Sequence, residues 1–389
     1  QALVRLPMEQ YRRDLAAGLR VGTYVTGYQG SPLGELDKQY RAAGSLLREH
    51  HIQFQAGINE EVAATAIYGT QFLEKFTHSR YDGLTGIWYG KGPGVDRTGD
   101  AFRHGNFIGT SRHGAMLALA GDDPSCKSST IPSDTIVSLY DLNMPQLFPG
   151  DPKEVLEMGL HAIAMSRYSG LWTALKIVTN VADGGAIVDL GSGLAPVTLP
   201  QDYLVGGKPY EKVQDVRLIA PYSNEIERMI TYDRMGAARA YARVNGLDRV
   251  VVQSDNDRIG LVSAGKTYVD LRHALELLGL DEQALQQAGI RLYKLGMIAP
   301  IEPQGMKRFA QGLEEILFVE EKRGFSEVLA REVLYNERAR PRIFGKYDAD
   351  GHPLFPVQGE LGADSIALPL AHYLAERLNR PDLLERVRW

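Results

Sequence analysis

Residues 57–69 read GINEEVAATAIYG and set two carboxylates, Glu60 and Glu61, at a predicted helix start. Val62, Ala63, Ala64, Thr65 and Ala66 follow, with no lysine or arginine to pair with the acids. An acid beside a surface so small and apolar, against which another backbone can press, suits proton exchange away from water. The plainer alternative is that both acids favour the positive end of the helix, an effect of only about 0.3–1 kcal/mol. Three further loops bring polar groups to predicted strand ends. GYQGSPLG, with Tyr28, Gly30, Ser31 and Pro32, places Ser31 at a predicted N-cap and Pro32 at the first helical position, leaving backbone N–H groups facing outward. A well-capped helix would read the same way. YGKGPGVDRTGDAFRH joins spaced glycines to Lys91, Arg97, Arg103 and His104, enough cations around one loop for an anionic ligand. GDDPSCKSST carries two acids, a lysine and several hydroxyls, and its plain reading is a solvated loop with Asx turns.

Two phosphate-binding patterns are set aside on context. GLVSAGKT, residues 260–267, fits the phosphate-loop pattern, and ILFVEE resembles the acid-ending strand that accompanies it, which would make the protein an ATPase. Leu261, Val262 and Ser263 read as the strand itself, however, and a strand ending in AGKT does not wrap a phosphate. GKGPG has the wrong spacing for a dinucleotide fingerprint, and no acid ends a strand some twenty residues on.

The elements that position these loops alternate. RVGTYVTGY, HIQFQAG, LTGIWYG, GAMLALAG and LWTALKIVTN read as strands, and helical patterns stand between them. Such alternation predicts an α/β fold with a parallel sheet covered by helices. Asp151 and Pro152 open a strong helix as N-cap and first residue. The expected organisation is a first domain over 1–190, a linker with an exposed helix over 191–248, a smaller α/β domain over 249–350, and a tail helix within 351–389. With 389 residues, two or three domains are expected. A net charge of −5 gives no electrostatic case for nucleic acid or an anionic membrane. Cys126 is the sole cysteine, which excludes an internal disulfide, a Cys-based zinc site and a Cys-ligated iron–sulfur cluster within this chain. No run reaches the length of a membrane span and no leader pattern precedes the fold, so a cytoplasmic location is expected. The chain opens at Gln1 and stops at Trp389 after a helical pattern, as a portion of a longer protein would.

One chemistry calls for a lone glutamate at a helix start beneath a close partner. In thiamine diphosphate enzymes a buried carboxyl bonded to the pyrimidine ring nitrogen turns the cofactor's exocyclic amine into a base. In pyrimidine-binding domains that glutamate stands nine residues before a glycine, often with Gly-Ile ahead. Here Glu60 stands nine before Gly69, after Gly57 and Ile58, and Glu61 misses the register by one. Together with GYQGSPLGELD, YGKGPGVDRTGDAFRHGN, LALAGDDPSCKSST and DPKEVLEMGLHAIAMSRYSG, the segment resembles the indolepyruvate ferredoxin oxidoreductase family. GLVSAGKTYVDLRHAL through FVEEKRGF resembles that family's transketolase C-terminal-like domain. The resemblance implies oxidative decarboxylation of a 2-oxo acid, aryl pyruvates being usual, to acyl-CoA and carbon dioxide, with ferredoxin as acceptor. It implies Glu60 as the activating acid, and Tyr28, Gly30, Ser31 and Pro32 at the cofactor's pyrimidine. Lys91, Arg97, Arg103 and His104 become candidates for the substrate carboxylate or CoA phosphates. No metal ligand is expected here, since Gly121-Asp122-Asp123 has an acid where the magnesium motif has glycine. The diphosphate- and magnesium-binding portion and the iron–sulfur clusters are expected elsewhere, in a homodimer or complex.

Overall fold

The computed structural model describes residues 1–76, 78–190, 194 and 196–387, so 191–193 and 195 of the predicted linker lie outside the described residues. The chain divides into two units, Gln1–Asn245 and Gly246–Trp389. The first runs α1 (Ala2–Ala16), β1 (Val21–Gly27), α2 (Leu36–Ala42), α3 (Gly44–Glu49), β2 (Ile52–Phe54), α4 (Glu60–Thr70), β3 (Gly83–Lys91) and α5 (Gly92–Ile108). It continues with β4 (Ala115–Asp122), α6 (Ile136–Asp141), β5 (Gln146–Leu147), α7 (Pro152–Ser169), β6 (Trp172–Val178) and α8 (Thr179–Asp183). Its strands pair in parallel in the order β5-β6-β4-β3-β1-β2. β4 and β6 are buried along their whole length, which is why their sequences run apolar without alternation.

The chain leaves β1 for β2 on one side and returns to β3 on the other. The carboxyl ends of β1 and β3 therefore diverge into a crevice, the usual ligand position of such sheets. α4 lies on β3 because Gly86 carries no side chain: a Cβ there would stand 2.4 Å from Ile67 Cγ2. Trp88, Phe102 and Trp172 form an edge-to-face stack in this core, with centroids 5.0 and 4.9 Å apart.

Three sequence expectations need correction. GYQGSPLGELD does not cap a helix at Ser31: α2 begins at Leu36, because Gly30, Pro32 and Gly34 hold the segment in turns. The glycine-rich GPG stretch is no loop but the first turn of α5. The predicted linker and exposed helix instead fold onto unit 1 as a hairpin, β7 (Leu204–Val205) and β8 (Lys208–Pro209), then α9 (Tyr222–Arg228), a π-helical turn (Met229–Arg234) and α10 (Met235–Val244). Their apolar faces meet a partner: Ile226, Ile230 and Met235 cluster with Leu171, and Tyr241 is buried with its hydroxyl 2.9 Å from His161 Nδ1.

Arg234 is the rivet of this addition. Buried to 1% exposure, its guanidinium donates to the carbonyls of Asn106, Phe107 and Val213 and so caps the negative end of α5.

Unit 2 contains β9 (Arg249–Val252), β10 (Ile259–Ala264), α11 (Gly265–Leu277), α12 (Glu282–Gln287), β11 (Ile290–Leu295), β12 (Met297–Ala299) and α13 (Pro303–Ala310). It ends with β13 (Glu315–Phe318), α14 (Ser326–Leu334), β14 (Arg342–Phe344), α15 (Ala363–Leu378) and α16 (Asp382–Glu385). Its five-stranded sheet, β14-β13-β10-β11-β9, is parallel except at β9. The predicted tail helix, α15, is part of the core: Ile366, Leu370 and Leu374 share a cluster with Leu271 and Leu275 of α11. The phosphate-loop pattern is indeed a strand and its turn into α11. The Lys266 ammonium pairs with Asp270 and Glu360, both at 2.8 Å, and donates to Leu361 O. Among the described residues no helix is long and apolar enough to cross a membrane.

Two outcomes follow from these contacts. Arg234→Met, which leaves three carbonyls without their donor, is expected to destabilise unit 1 by about 3 kcal/mol in denaturant titration. In unit 2, burial pushes Glu320 up to about 7. An acid whose folded pKa lies above its unfolded value binds extra protons when folded, so its contribution to stability falls as pH rises from about 4.5 to about 7. The melting-temperature difference between the Glu320→Gln variant and the parent protein is therefore expected to grow in the variant's favour across that window and to level off above it.

Candidate functional site

The crevice is built by glycines that let three backbones converge. The loop after β2 returns close to β1, where Gly57 N donates to Gly27 O at 2.8 Å. A Cβ on Gly57 would stand 2.9 Å from that same oxygen and 3.0 Å from Ala63 Cβ. α4 then starts under an Asn59 cap, whose side chain accepts from Val62 N at 2.8 Å. Glu60, first in the helix, is 4% exposed, whereas Glu61 faces solvent. Trp88 Nε1 donates to the Glu60 carbonyl at 2.9 Å and fixes the backbone from the sheet side.

The second wall is the first turn of α5. A Cβ at Gly94 would lie 2.7 Å from Glu60 Cγ and 3.0 Å from Oε1, so only glycine lets the two helix starts meet. Arg97, one turn on, sets Nη1 4.0 Å from Glu60 Oε2 while remaining mostly exposed. Lys91 stands at the N-cap of α5 without a side-chain capping bond, and its stem lies over Gly30, where a Cβ would approach Lys91 Cδ to 2.8 Å. The third wall is the Tyr28–Pro32 loop. Tyr28 N donates to Tyr89 O at 3.1 Å and its ring is exposed. The Ser31 hydroxyl bonds that of Ser128, and Pro32 packs on Gly121, where a Cβ would stand 2.9 Å from Pro32 Cδ.

Tyr28, Gly30, Ser31, Pro32, Glu60, Lys91 and Arg97 thus come together around the strand ends. Arg103 and His104 do not. Arg103 donates to Asp141 at 2.6 Å, and His104 Nδ1 lies 3.0 Å from Asp100 O, both on the exposed side of α5 well past its first turn.

The GDD stretch is a structural knot. Asp123 accepts from the amides of Lys127, Ser128 and Ser129, each at 3.0 Å. Burial pushes its carboxyl up, but these donors outweigh burial and hold it below the ordinary range. Asp122 accepts from Thr135 N and Oγ1 and lies 3.5 Å from Lys176, which in turn pairs with Asp134 at 2.7 Å. Burial raises Asp122 despite the lysine. The sequence reading missed Trp88, Gly94 and this buried Lys176 cluster. A tryptophan three residues before a strand's end and a glycine two residues into a helix carry no signal until the two helices are placed together.

A family model described as the indolepyruvate oxidoreductase domain matches residues 249–388. The indolepyruvate oxidoreductase subunit IorA of Methanothermobacter thermautotrophicus is 26% identical over 379 residues, covering 96% of this chain and 56% of that protein. IorA of Thermococcus kodakarensis is 24% identical over 323 residues, covering 82% of this chain and 45% of that protein. Along most of its length the chain is similar to these indolepyruvate oxidoreductase subunits. It spans about half the length of the curated relatives it matches. Among solved structures, the chain's fold is similar to a 2-oxoglutarate:ferredoxin oxidoreductase from Magnetococcus marinus, with TM-score 0.59 and 12% identity over 88% of this chain and 60% of that one. It is also similar to a split-gene transketolase, with TM-score 0.52 and 14% identity over 96% of this chain and 97% of that one.

The glycine contacts separate two roles within this helix pair. Gly94→Ala, which drives a methyl into Glu60, is expected to lower stability by about 1–3 kcal/mol. Gly69→Ala, with nothing within 4 Å of the new Cβ, is expected to be neutral or to stabilise by about 0.5–1 kcal/mol. Chemical denaturation of the two variants measures both.

Proposed function

We propose that this chain is the pyrimidine-side portion of a thiamine-diphosphate-dependent 2-oxoacid:ferredoxin oxidoreductase acting on indolepyruvate or another aryl pyruvate. The overall conversion is oxidative decarboxylation to an acyl-CoA and carbon dioxide, with electrons delivered to ferredoxin. The observation that carries this reading is the seating of Glu60, an acid buried at a helix start with Gly94 pressed against its carboxyl and a crevice at the strand ends beside it. A ring nitrogen that shares a proton needs a carboxyl out of water and uncrowded by a neighbouring Cβ, and this one fits.

The cofactor, when bound, supplies the electron sink for loss of carbon dioxide. The chain's own residues orient and protonate. Glu60 holds a proton at the pyrimidine ring nitrogen, Asn59 and Trp88 hold Glu60 in place, and the Tyr28–Pro32 loop borders the ring and the substrate. Lys91 and Arg97, the two cations of the α5 start, receive the substrate carboxylate or a CoA phosphate; Arg103 and His104 drop out of that set because their partners hold them elsewhere. The diphosphate- and magnesium-binding portion and the iron–sulfur relay belong to other parts of a homodimer or complex, since Cys126 alone cannot ligate a cluster.

Turnover of the assembled protein tests the assignment. Glu60→Gln is expected to lower kcat by about 10²–10⁴-fold, the usual span for a general acid–base group, while Glu61→Gln changes it little. Equal losses would place the acid in the wrong register.

A further inference from the structure

Unit 2 contains a cavity of about 300 Å³, lined among others by Asp248, Val250, Tyr293, Gly305, Arg308 and Phe309. Three polar side chains border it with hydrogen-bonding capacity left over. Asp248 is fixed from behind, its Oδ1 accepting from the amides of Gly296 at 2.8 Å and Met297 at 3.0 Å. Among the described residues nothing donates to its Oδ2. Tyr293 is 3% exposed and stacked on Phe309 at 4.5 Å, and its hydroxyl meets no hydrogen-bonding group among the described residues. Arg308, in the last turn of α13, is exposed and without an ion pair among them.

Gly305 supplies the space. A Cβ there would stand 3.0 Å from the Tyr293 hydroxyl, 3.1 Å from Glu302 Oε2 and 4.0 Å from Arg308 Nη2. The Tyr293 hydroxyl and the Arg308 guanidinium thus border a space that a side chain at position 305 would enter, beside the Glu302 carboxylate that caps α13. The Tyr293 hydroxyl opens on the cavity beside groups of both signs, where water or a ligand can accept its hydrogen bond. Burial, and then the negative charges of Asp248 and Glu302, push the Tyr293 hydroxyl up, so it stays protonated and donates. Burial also raises Asp248 to about 7, and a cation beside it would favour its charged form.

We propose that this cavity binds a small zwitterion of amino-acid size, its carboxylate taken by Arg308 and the Tyr293 hydroxyl and its ammonium by Asp248. The volume lies at the small end of ligand pockets and accommodates an amino acid. None of these residues belongs to the strand-end crevice of unit 1, so the site stands or falls independently of Glu60.

The full-length protein, screened against the twenty common amino acids by thermal shift and then calorimetry, tests the proposal. At least one amino acid is expected to bind, and its deaminated acid and its amide to bind at least about tenfold more weakly, each lacking one charge-assisted contact. Arg308→Gln, a surface change, and Asp248→Asn are each expected to weaken binding about tenfold or more, and Gly305→Ala to abolish it. No binding by any amino acid, equal binding of the deaminated acid, or binding that survives both Arg308→Gln and Gly305→Ala would overturn the site.

Discussion

The starts of α4 and α5 meet more closely than any residue but glycine permits, and Glu60 is buried in that contact. Gly94 removes the Cβ that would strike the acid, Gly57 lets the chain turn tightly into α4 beside β1, and Gly86 lets α4 settle onto β3. Each is a point where a methyl group would displace backbone or a packed side chain. The crevice at the switch of the sheet follows from these close approaches, and so does the burial of the acid.

α5 connects this site to the rest of unit 1. Its N-terminal end, from the Lys91 cap through Gly94 to Arg97 in the second turn, borders the crevice, and its last carbonyls are bound by Arg234 from the far end of the chain's first unit. Fixing both ends of a 17-residue helix limits how far its N-terminal turn can drift from Glu60. The same helix separates these side chains in space. Lys91 and Arg97 lie at the strand ends, whereas Arg103 pairs with Asp141 and His104 lies beside Asp100 on the outer surface.

Much of this was legible in the sequence because strand burial and helix capping leave local marks. The apolar runs of β3, β4 and β6, and the Asp151–Pro152 helix start, are local signals, and the structure shows them as read. The false phosphate loop was also resolvable locally, since Leu261–Ser263 has the composition of a strand. What was not legible depended on distant partners. The helix over 222–244 reads as exposed because charged residues recur along it, yet its apolar stripe covers Leu171 and the α5 terminus, contacts made across more than fifty residues. Ser31 carries a cap signature, but its hydroxyl is taken by Ser128, almost one hundred residues away. The importance of Gly94 is likewise invisible until Glu60 is beside it.

The central claim concerns one shared proton, and nitrogen NMR observes it directly. Thiamine diphosphate labelled with ¹⁵N at the pyrimidine ring nitrogen, bound to the assembled protein, is expected to show that nitrogen's resonance displaced toward the protonated form relative to free cofactor. In Glu60→Gln the resonance is expected to return toward the unprotonated position, with the cofactor still bound. An identical displaced resonance in both proteins would contradict the role assigned to Glu60.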